Sequence, residues 1–343
     1  MIEPNLQNIP NDYEIETSLP RRSSTSSANS SLEDSLFSPE KSSSAAVKTT
    51  TTTMSLRHAF VPFSGGVLLA ADYSQLELRV IAHLAEDRVL LDILNGEGDV
   101  FRSIAATWLG VSSPAEVTDE KRTWTKRVCY GMIYGIGAKS LAQQLGIGEE
   151  EAAKFTSSFL NNYQGLKRFL AQTLVDARND GFVITLAGRK RFLPDIVDAN
   201  PHKKSHAERQ AVNTRVQGSA ADLVKRAMIN VERRLERTFP DCRVPHRGAE
   251  TEVEARMERL GTKNTASTKN VSRQSKDSQP PRGAFLVLQL HDELIYEVNA
   301  KDVKEVAAII KMEMENAWPK LKVKFPVKLK MATSWSSMQE YEV

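Results

Sequence analysis

The spacing of apolar positions divides the chain into elements. Val67-Leu68-Leu69-Ala70 is an unbroken apolar run that continues through Ala71 to Asp72, after which Leu76, Val80, Ile81 and Leu84 recur at helical spacing. That change of period predicts a buried strand feeding a helix that ends near residue 85. Further helical patterns begin at 89 and cover 101–109, 148–162, 164–180, 205–238 and 302–317. The strongest helix is predicted over 118–134, with Thr118 as N-cap, Asp119 and Glu120 in the first turn, and Gly135-Ile136-Gly137 as the stop. Residues 181–186 read as a strand that Ala187-Gly188 turns into Arg189-Lys190-Arg191-Phe192-Leu193, a basic hairpin. Two apolar strands, 285–290 and 294–298, flank His291-Asp292-Glu293 and put that acidic pair at a tight turn, and 323–331 alternates as a last strand. No repeat recurs at a fixed period.

Two stretches break this patterning. Residues 14–54 are dominated by Ser, Thr and Ala, and 241–281 carry charges of both signs with Pro-Pro at the end. Neither holds enough apolar surface to offset chain entropy, so both are expected to be poorly ordered insertions. Ser38-Pro39-Glu40-Lys41 in the first has the form of a proline-directed phosphorylation site, and Pro4 to Pro10 read as loop. Composition adds bounds. The 343 residues are 41% hydrophobic, enough for about two domains, and the net charge of +3 permits a nucleic-acid partner without demanding one. Cys129 and Cys242 form no disulfide framework, and there is no leader-like N-terminus or stretch long enough to span a membrane.

Candidate chemistry starts at Asp72, a carboxylate delivered by a strand to the start of a helix. An aspartate there also suits a helix cap, and the sequence alone leaves both open. Arg122, Lys126, Tyr130 and Tyr134 recur every fourth residue, so each winds by only about 40° from the last. Two cations followed by two aromatics suit a ligand with polyphosphate at one end and a flat ring at the other. Arg209, Asn213 and Gln217 repeat that spacing, a solvated face or a stripe against sugar and groove edges. The small residues after Gln217 would let a backbone or a duplex approach closely. Arg189, Lys190, Arg191, Lys203 and Lys204 could neutralise phosphates. Asp72 and Asp292, each on a rigid sheet element, could hold two Mg²⁺ ions about 4 Å apart for in-line phosphoryl transfer.

The strings Asp72-Tyr73-Ser74-Gln75-Leu76-Glu77-Leu78-Arg79, Arg122 with Lys126 and Tyr130 to Gly135, and His291-Asp292-Glu293 resemble motifs A, B and C of the family A DNA polymerases, in that order. Pro4 to Pro10, Gly188 to Pro194 and Gln217 to Asp222 extend the likeness. Tyr130 where bacterial members have phenylalanine, Phe101 where they have histidine, and the two insertions point to one branch of the family. That branch works in the nucleus, in end joining and lesion bypass. The resemblance implies roles residue by residue. Asp72 and Asp292 would bind the catalytic metals with the Tyr73 carbonyl, Mn²⁺ substituting for Mg²⁺, and Glu293 would support metal and primer end. Arg122 and Lys126 would grip the triphosphate, and Lys126 would also protonate pyrophosphate. Tyr130 would lie against the incoming nucleotide, Tyr134 would fill the template position, and Glu77 would gate the sugar. Arg209, Asn213, Gln217 and His291 would contact primer–template DNA, the partner with dNTPs.

The fold so implied is α+β, an antiparallel palm sheet with an inserted helical fingers subdomain and no thumb. Palm is expected over 1–13, 55–85, 205–240 and 282–343, and fingers over 86–204. Thumb and helicase-like domains would have to come in cis or in trans, and the chain alone is expected to extend primers weakly. Two rivals stand beside this reading. An idle DNA-binding fragment would not need two paired carboxylate sites, and a metal-dependent nuclease would not need the stripe from Arg122 to Tyr134.

Overall fold

The computed structural model describes residues 13–18, 49–240 and 281–343, with backbone pairing alone for 13–18 and 49–54. In chain order, β1 (Tyr13–Ser18) pairs antiparallel with β2 (Thr49–Met54), Tyr13 opposite Met54. Both ends of the stretch expected to lack structure are therefore strands, which the β-branched threonine run favours. Its middle, with Ser38, lies outside the described residues, as do residues 4–10 and 241–280.

β3 (Gly66–Tyr73) leads into seven helices: α1 (Leu76–Ala85), α2 (Arg88–Asn95), α3 (Val100–Leu109), α4 (Asp119–Ile133), α5 (Ala138–Leu145), α6 (Glu149–Asn162) and α7 (Gln164–Asp180). Of these the sequence pattern does not predict α5, a short helix set between Gly137 and Gly146 whose apolar period the flanking glycines hide. The hairpin β4 (Phe182–Ile184) and β5 (Lys190–Phe192) follows. The single helix expected over 205–238 is in fact α8 (Pro201–Asn213), a π-helical segment Thr214–Gly218, and α9 (Ser219–Thr238). After the undescribed stretch come β6 (Ala284–Leu290), β7 (Glu293–Asn299), α10 (Val303–Glu315), β8 (Val327–Ala332) and β9 (Gln339–Tyr341). β8 starts four residues later than its alternation suggests because Pro326 lacks the N–H a ladder needs.

The five strands pair in the order β6-β7-β3-β8-β9, all antiparallel, so β3 is central. The fold is α+β. Side chains alternate between the two sheet faces. Leu69, Ala71 and Tyr73 face the main core, where Leu223 and Val231 of α9 and Val306 and Ile310 of α10 cover them. Leu68 and Ala70 point the other way, into a small cluster with Leu290, Ile295 and Trp335, and Asp72 shares their parity. Asp72 thus emerges on the face that no helix layer among the described residues covers, while the main core runs on through the helices to Phe101, Val128 and Phe159.

The helix layer is tied together by a buried aspartate. Asp87, 3% exposed, caps α2 by accepting from Leu90 N at 3.1 Å, and its other oxygen accepts from Gly165 N at 2.7 Å and Leu166 N at 3.1 Å. The approach leaves no room for a side chain, since a Cβ on Gly165 would lie 2.7 Å from Asp87 Cα. Chemical denaturation should therefore show Gly165→Ala losing about 2 kcal/mol through overpacking against backbone. Asp87→Ala should lose about 2–3 kcal/mol, because buried N–H groups are left without acceptors.

Candidate active site

Three carboxylates, Asp72, Asp292 and Glu293, lie near the end of β3. Asp72 stands opposite Glu293 of β7 on one side and Lys328 of β8 on the other. The neighbouring Tyr73 N–H donates to the carbonyl of Asp292 at 3.4 Å, which docks the β6–β7 turn against the end of β3. Tyr73 sends its own side chain into the core, where its hydroxyl donates to Met314 O at 2.7 Å. Immediately after, Ser74 N donates to Pro326 O at 3.0 Å, and the chain turns through Gln75 at φ 52° into α1. His291, just before Asp292, is also left-handed at φ 52°. Two non-glycine residues with strained backbone therefore bracket the carboxylates, a pattern concentrated at functional sites.

Arg79 holds this turn in place. It is 4% exposed, and its guanidinium donates to the carbonyls of Ser74 at 2.8 Å, Leu94 at 2.7 Å and Lys324 at 2.9 Å. Burial pulls its pKa down to about 10, which still leaves it charged at neutral pH. The sequence pattern alone assigns Arg79 no role. The available signal was a cation set between Leu78 and Val80 on a helix whose apolar side packs inward.

The electrostatics are those of a site short of positive charge. Burial, then Asp292, pushes Asp72 up to about 6, and Lys330 and Lys328 pull back less. Burial also raises Asp292, with Glu77 and Glu293 adding to it, and raises Glu293, with Asp72 adding to it. Among the described residues no three acidic, histidine or cysteine side chains converge as a ready metal cage. Two hard carboxylates with open surroundings nevertheless suit Mg²⁺, which keeps several waters and takes substrate phosphates as ligands.

The stripe on α4 is assembled around a residue from another helix. Thr118 caps α4 by accepting from Lys121 N at 3.3 Å. Phe101 of α3 then lies 5.8 Å from the Arg122 guanidinium, 5.9 Å from Lys126 Nζ and 6.1 Å from the Tyr130 ring. Tyr130 and Tyr134 stack at 6.0 Å with ring planes 18° apart. Arg122 also pairs through Nε with Asp99 at 2.7 Å, the residue that caps α3, leaving its terminal nitrogens on the far side. Burial, then Glu77, raises Tyr130 to about 12. Burial and Glu77 also raise Tyr134, against a hydrogen bond with Gln217. Glu77, Tyr130, Tyr134, Gln217 and Asp292 therefore share one space.

The second stripe divides. Arg209 packs on Gly135, where a Cβ would come within 3.0 Å of Arg209 Cγ, while Asn213 and Gln217 line a groove of about 360 Å³ with Arg189, Arg191 and Gly218. Asn213 Oδ1 is buried there with no hydrogen-bond partner, an acceptor left for a ligand or water. Ser219 and Asp222, just after Gln217, receive the β4–β5 hairpin. Ser219 Oγ accepts from Leu186 N at 2.9 Å, Asp222 accepts from Ala187 N at 3.0 Å, and Arg189 Nε pairs with Asp222 at 2.6 Å.

Comparison with known proteins identifies the family. The model of DNA polymerase family A matches residues 1–337. The chain is 44% identical to DNA polymerase theta of Mus musculus over 99% of its own length and 14% of that protein's. It is 36% identical to DNA polymerase theta of Drosophila melanogaster over 84% of its length and 12% of that protein's. The chain thus spans about one seventh of these curated relatives. Among solved structures it is similar to the polymerase domain of Pol1 from M. smegmatis in complex with DNA primer–template and dNTP, with a TM-score of 0.64 and 32% identity, over 82% of this chain and 42% of that one. By sequence and by fold, the chain belongs to DNA polymerase family A.

Proposed function

We propose that this chain carries the palm and fingers of a theta-like, template-directed DNA polymerase, which transfers a nucleotide from a dNTP to a primer 3′-hydroxyl. One observation carries the reading: the Tyr73–Asp292 backbone bond sets both motif carboxylates beside the space that Glu77, Tyr130 and Tyr134 share. Asp72 and Asp292, with the Tyr73 carbonyl, would hold two Mg²⁺ ions, and Mn²⁺ suits the same oxygens. Such ions supply a more acidic primer hydroxyl and neutralise charge on the leaving pyrophosphate.

The chain's own residues do the rest. Arg122 offers its terminal nitrogens to the triphosphate while Asp99 fixes its Nε, a planar fork suited to phosphate oxygens. Lys126, beside Phe101, carries the proton that pyrophosphate takes up on leaving. Tyr130 lies against the sugar and base, and Tyr134 occupies the template position until the fingers close. Glu77 faces both tyrosines and excludes a ribose 2′-hydroxyl by pocket shape. Glu293 supports the metal and primer end, and His291, Arg209, Asn213 and Gln217 contact primer–template. A role in nuclear end joining and lesion bypass follows from the likeness to theta. Residues 55–85, 205–240 and 282–343 are palm in this reading, and 86–204 are fingers.

Primer extension with Mg²⁺ tests it. Asp292→Asn should lower extension at least about 10³-fold with duplex affinity unchanged, because the metal chemistry is lost. No extension from either would leave an idle DNA-binding fragment as the better account, and equal extension by both would remove Asp292 from the metal chemistry.

The raised pKa of Asp72 gives a test without turnover. Its folded value, about 6, lies above the ordinary value of 3.8, so the native state binds the extra proton. Metal-free protein should accordingly gain stability as pH falls from about 7 towards 4. In chelator at pH 7.5, Asp72→Asn should be more stable by about 1 kcal/mol, solvent on the open side screening the remainder. Added Mg²⁺ should raise the melting temperature of wild type and not of the variant.

A further inference from the structure

The β4–β5 hairpin has a second face that the polymerase reading leaves unused. Val183 and the adjoining Leu193 and Ile196 bury one side of it against Ala177 of α7 and Ala207 and Ala211 of α8. Phe182 stands opposite Phe192 and Ile184 opposite Lys190 in the strand register, so these four share the other side. That side is open to solvent. Phe192 is 71% exposed, the most of any large apolar side chain among the described residues, and Ile184 is 48% exposed. The Phe182 and Phe192 rings meet edge to face at 5.7 Å, and Lys190 Nζ lies 4.3 Å from the Phe182 ring centre.

Two aromatic rings beside an ammonium group on an open strand pair suit unpaired nucleotides. Every base has a π-face that stacks on such a ring, and the cation meets the backbone phosphate. The local charge has the right sign on one side. Arg189 is held by Asp222, but Lys190 and Arg191 have no carboxylate partner among the described residues, and Arg191 donates to the neutral hydroxyl of Thr214 at 3.1 Å. Asp176 and Asp180 lie at the opposite edge, beside Phe182 and Ile184, and would turn a phosphate chain towards Lys190. The face is also continuous with the groove, because Lys190 and Arg191 of β5 line it together with Asn213 and Gln217. A strand leaving the paired region along that groove would meet the hairpin next.

We propose that the outer face of the β4–β5 hairpin is a stacking platform for single-stranded DNA continuing from the primer–template, with Phe192 and Phe182 under the bases and Lys190 on the backbone. The platform rests on the polymerase reading, because the duplex in the groove is what brings the single strand to it. Recognition there is independent of base sequence, since stacking and phosphate charge supply it.

Fluorescence anisotropy of the full chain with two labelled duplexes tests the platform. Both carry the same paired sequence; one has a single-nucleotide 5′ template overhang and the other a ten-nucleotide oligo(dT) overhang. The long tail should tighten wild-type binding about tenfold, the worth of one well-stacked base. Phe192→Ala should reduce that gain to about twofold or less and leave the short-overhang affinity unchanged. Phe192→Trp should keep the gain, and Phe192→Lys, with charge but no ring, should lose it. Full gain in Phe192→Ala or in Phe192→Lys would overturn the platform, as would equal loss on both duplexes. A wild type that binds the short-overhang duplex and gains nothing from the tail overturns the platform alone. Binding to neither duplex overturns the polymerase reading with it. The exposure of Phe192 makes misfolding a poor explanation for any loss, and an unchanged melting curve checks that.

Discussion

The antiparallel register of β3 against β7 is the constraint on which the candidate site depends. It places Asp72 opposite Glu293 and lets Tyr73 N–H reach the Asp292 carbonyl. A slip of one residue would turn Asp72 into the helix-covered core and Ala71 out to solvent. The same register brings like charges face to face, which opposes pairing, and burial makes the opposition larger. Lys328 and Lys330 on β8 return only part of that cost. The pairing survives because β3 is central, bonded along both edges and apolar from Val67 to Ala71. A divalent cation held by Asp72 and Asp292 would offset the remaining conflict, so the like-charge opposition and the proposed chemistry have one cause.

The turn after β3 has to be rigid for this to work. Arg79 supplies that rigidity by joining the carbonyls of the turn, of α2 and of the segment before β8 through one planar group. A buried guanidinium without a carboxylate is costly unless its donors find acceptors, and here three carbonyls take the Nε and Nη1 donors. The helices that present Arg122 to Tyr134 belong to the same core as the sheet. Met132 and Ile133 of α4 pack with Leu78 and Ile81 of α1, which starts three residues after Tyr73. The orientation of the stripe relative to Asp72 is therefore set by close packing across a few helix turns, with no long loop between.

What the sequence revealed were features written locally. The strand ending in Asp72, the capped helix from Asp119, the stripe at four-residue spacing and the hairpin turn at His291-Asp292 each lie within about twenty residues. Their periods and caps survive folding unchanged. What it hid were contacts between distant segments. Phe101 organises Arg122, Lys126 and Tyr130 from a different helix, and Asp87 caps α2 while also holding a glycine 78 residues on. The composition of residues 14–54 concealed a strand pair at its two ends, because pairing depends on the partner as much as on the threonines. The small residues after Gln217 were legible as a place of close approach. Only the structure shows that the hairpin takes it.

The π-helical segment Thr214–Gly218 accounts for how the second stripe divides. In a continuous α-helix Arg209, Asn213 and Gln217 would wind steadily in one direction, about 40° at each step. A π turn closes through i→i+5 bonds and takes up more residues per turn, so the step from Asn213 to Gln217 falls back instead of advancing. Gln217 consequently stays on the groove side with Asn213 and within reach of Tyr134, while Arg209, a turn earlier, packs on Gly135. The widened turn is secured from behind. Arg215 inside it lies over the Phe169 ring at 4.7 Å and donates to Thr173 Oγ1 at 3.0 Å, and burial lowers its pKa. An α-helical repacking of this segment would rotate Gln217 away from Tyr134 and turn Arg215 off Phe169, so the position of the groove's central amide and the burial of that arginine are one structural choice.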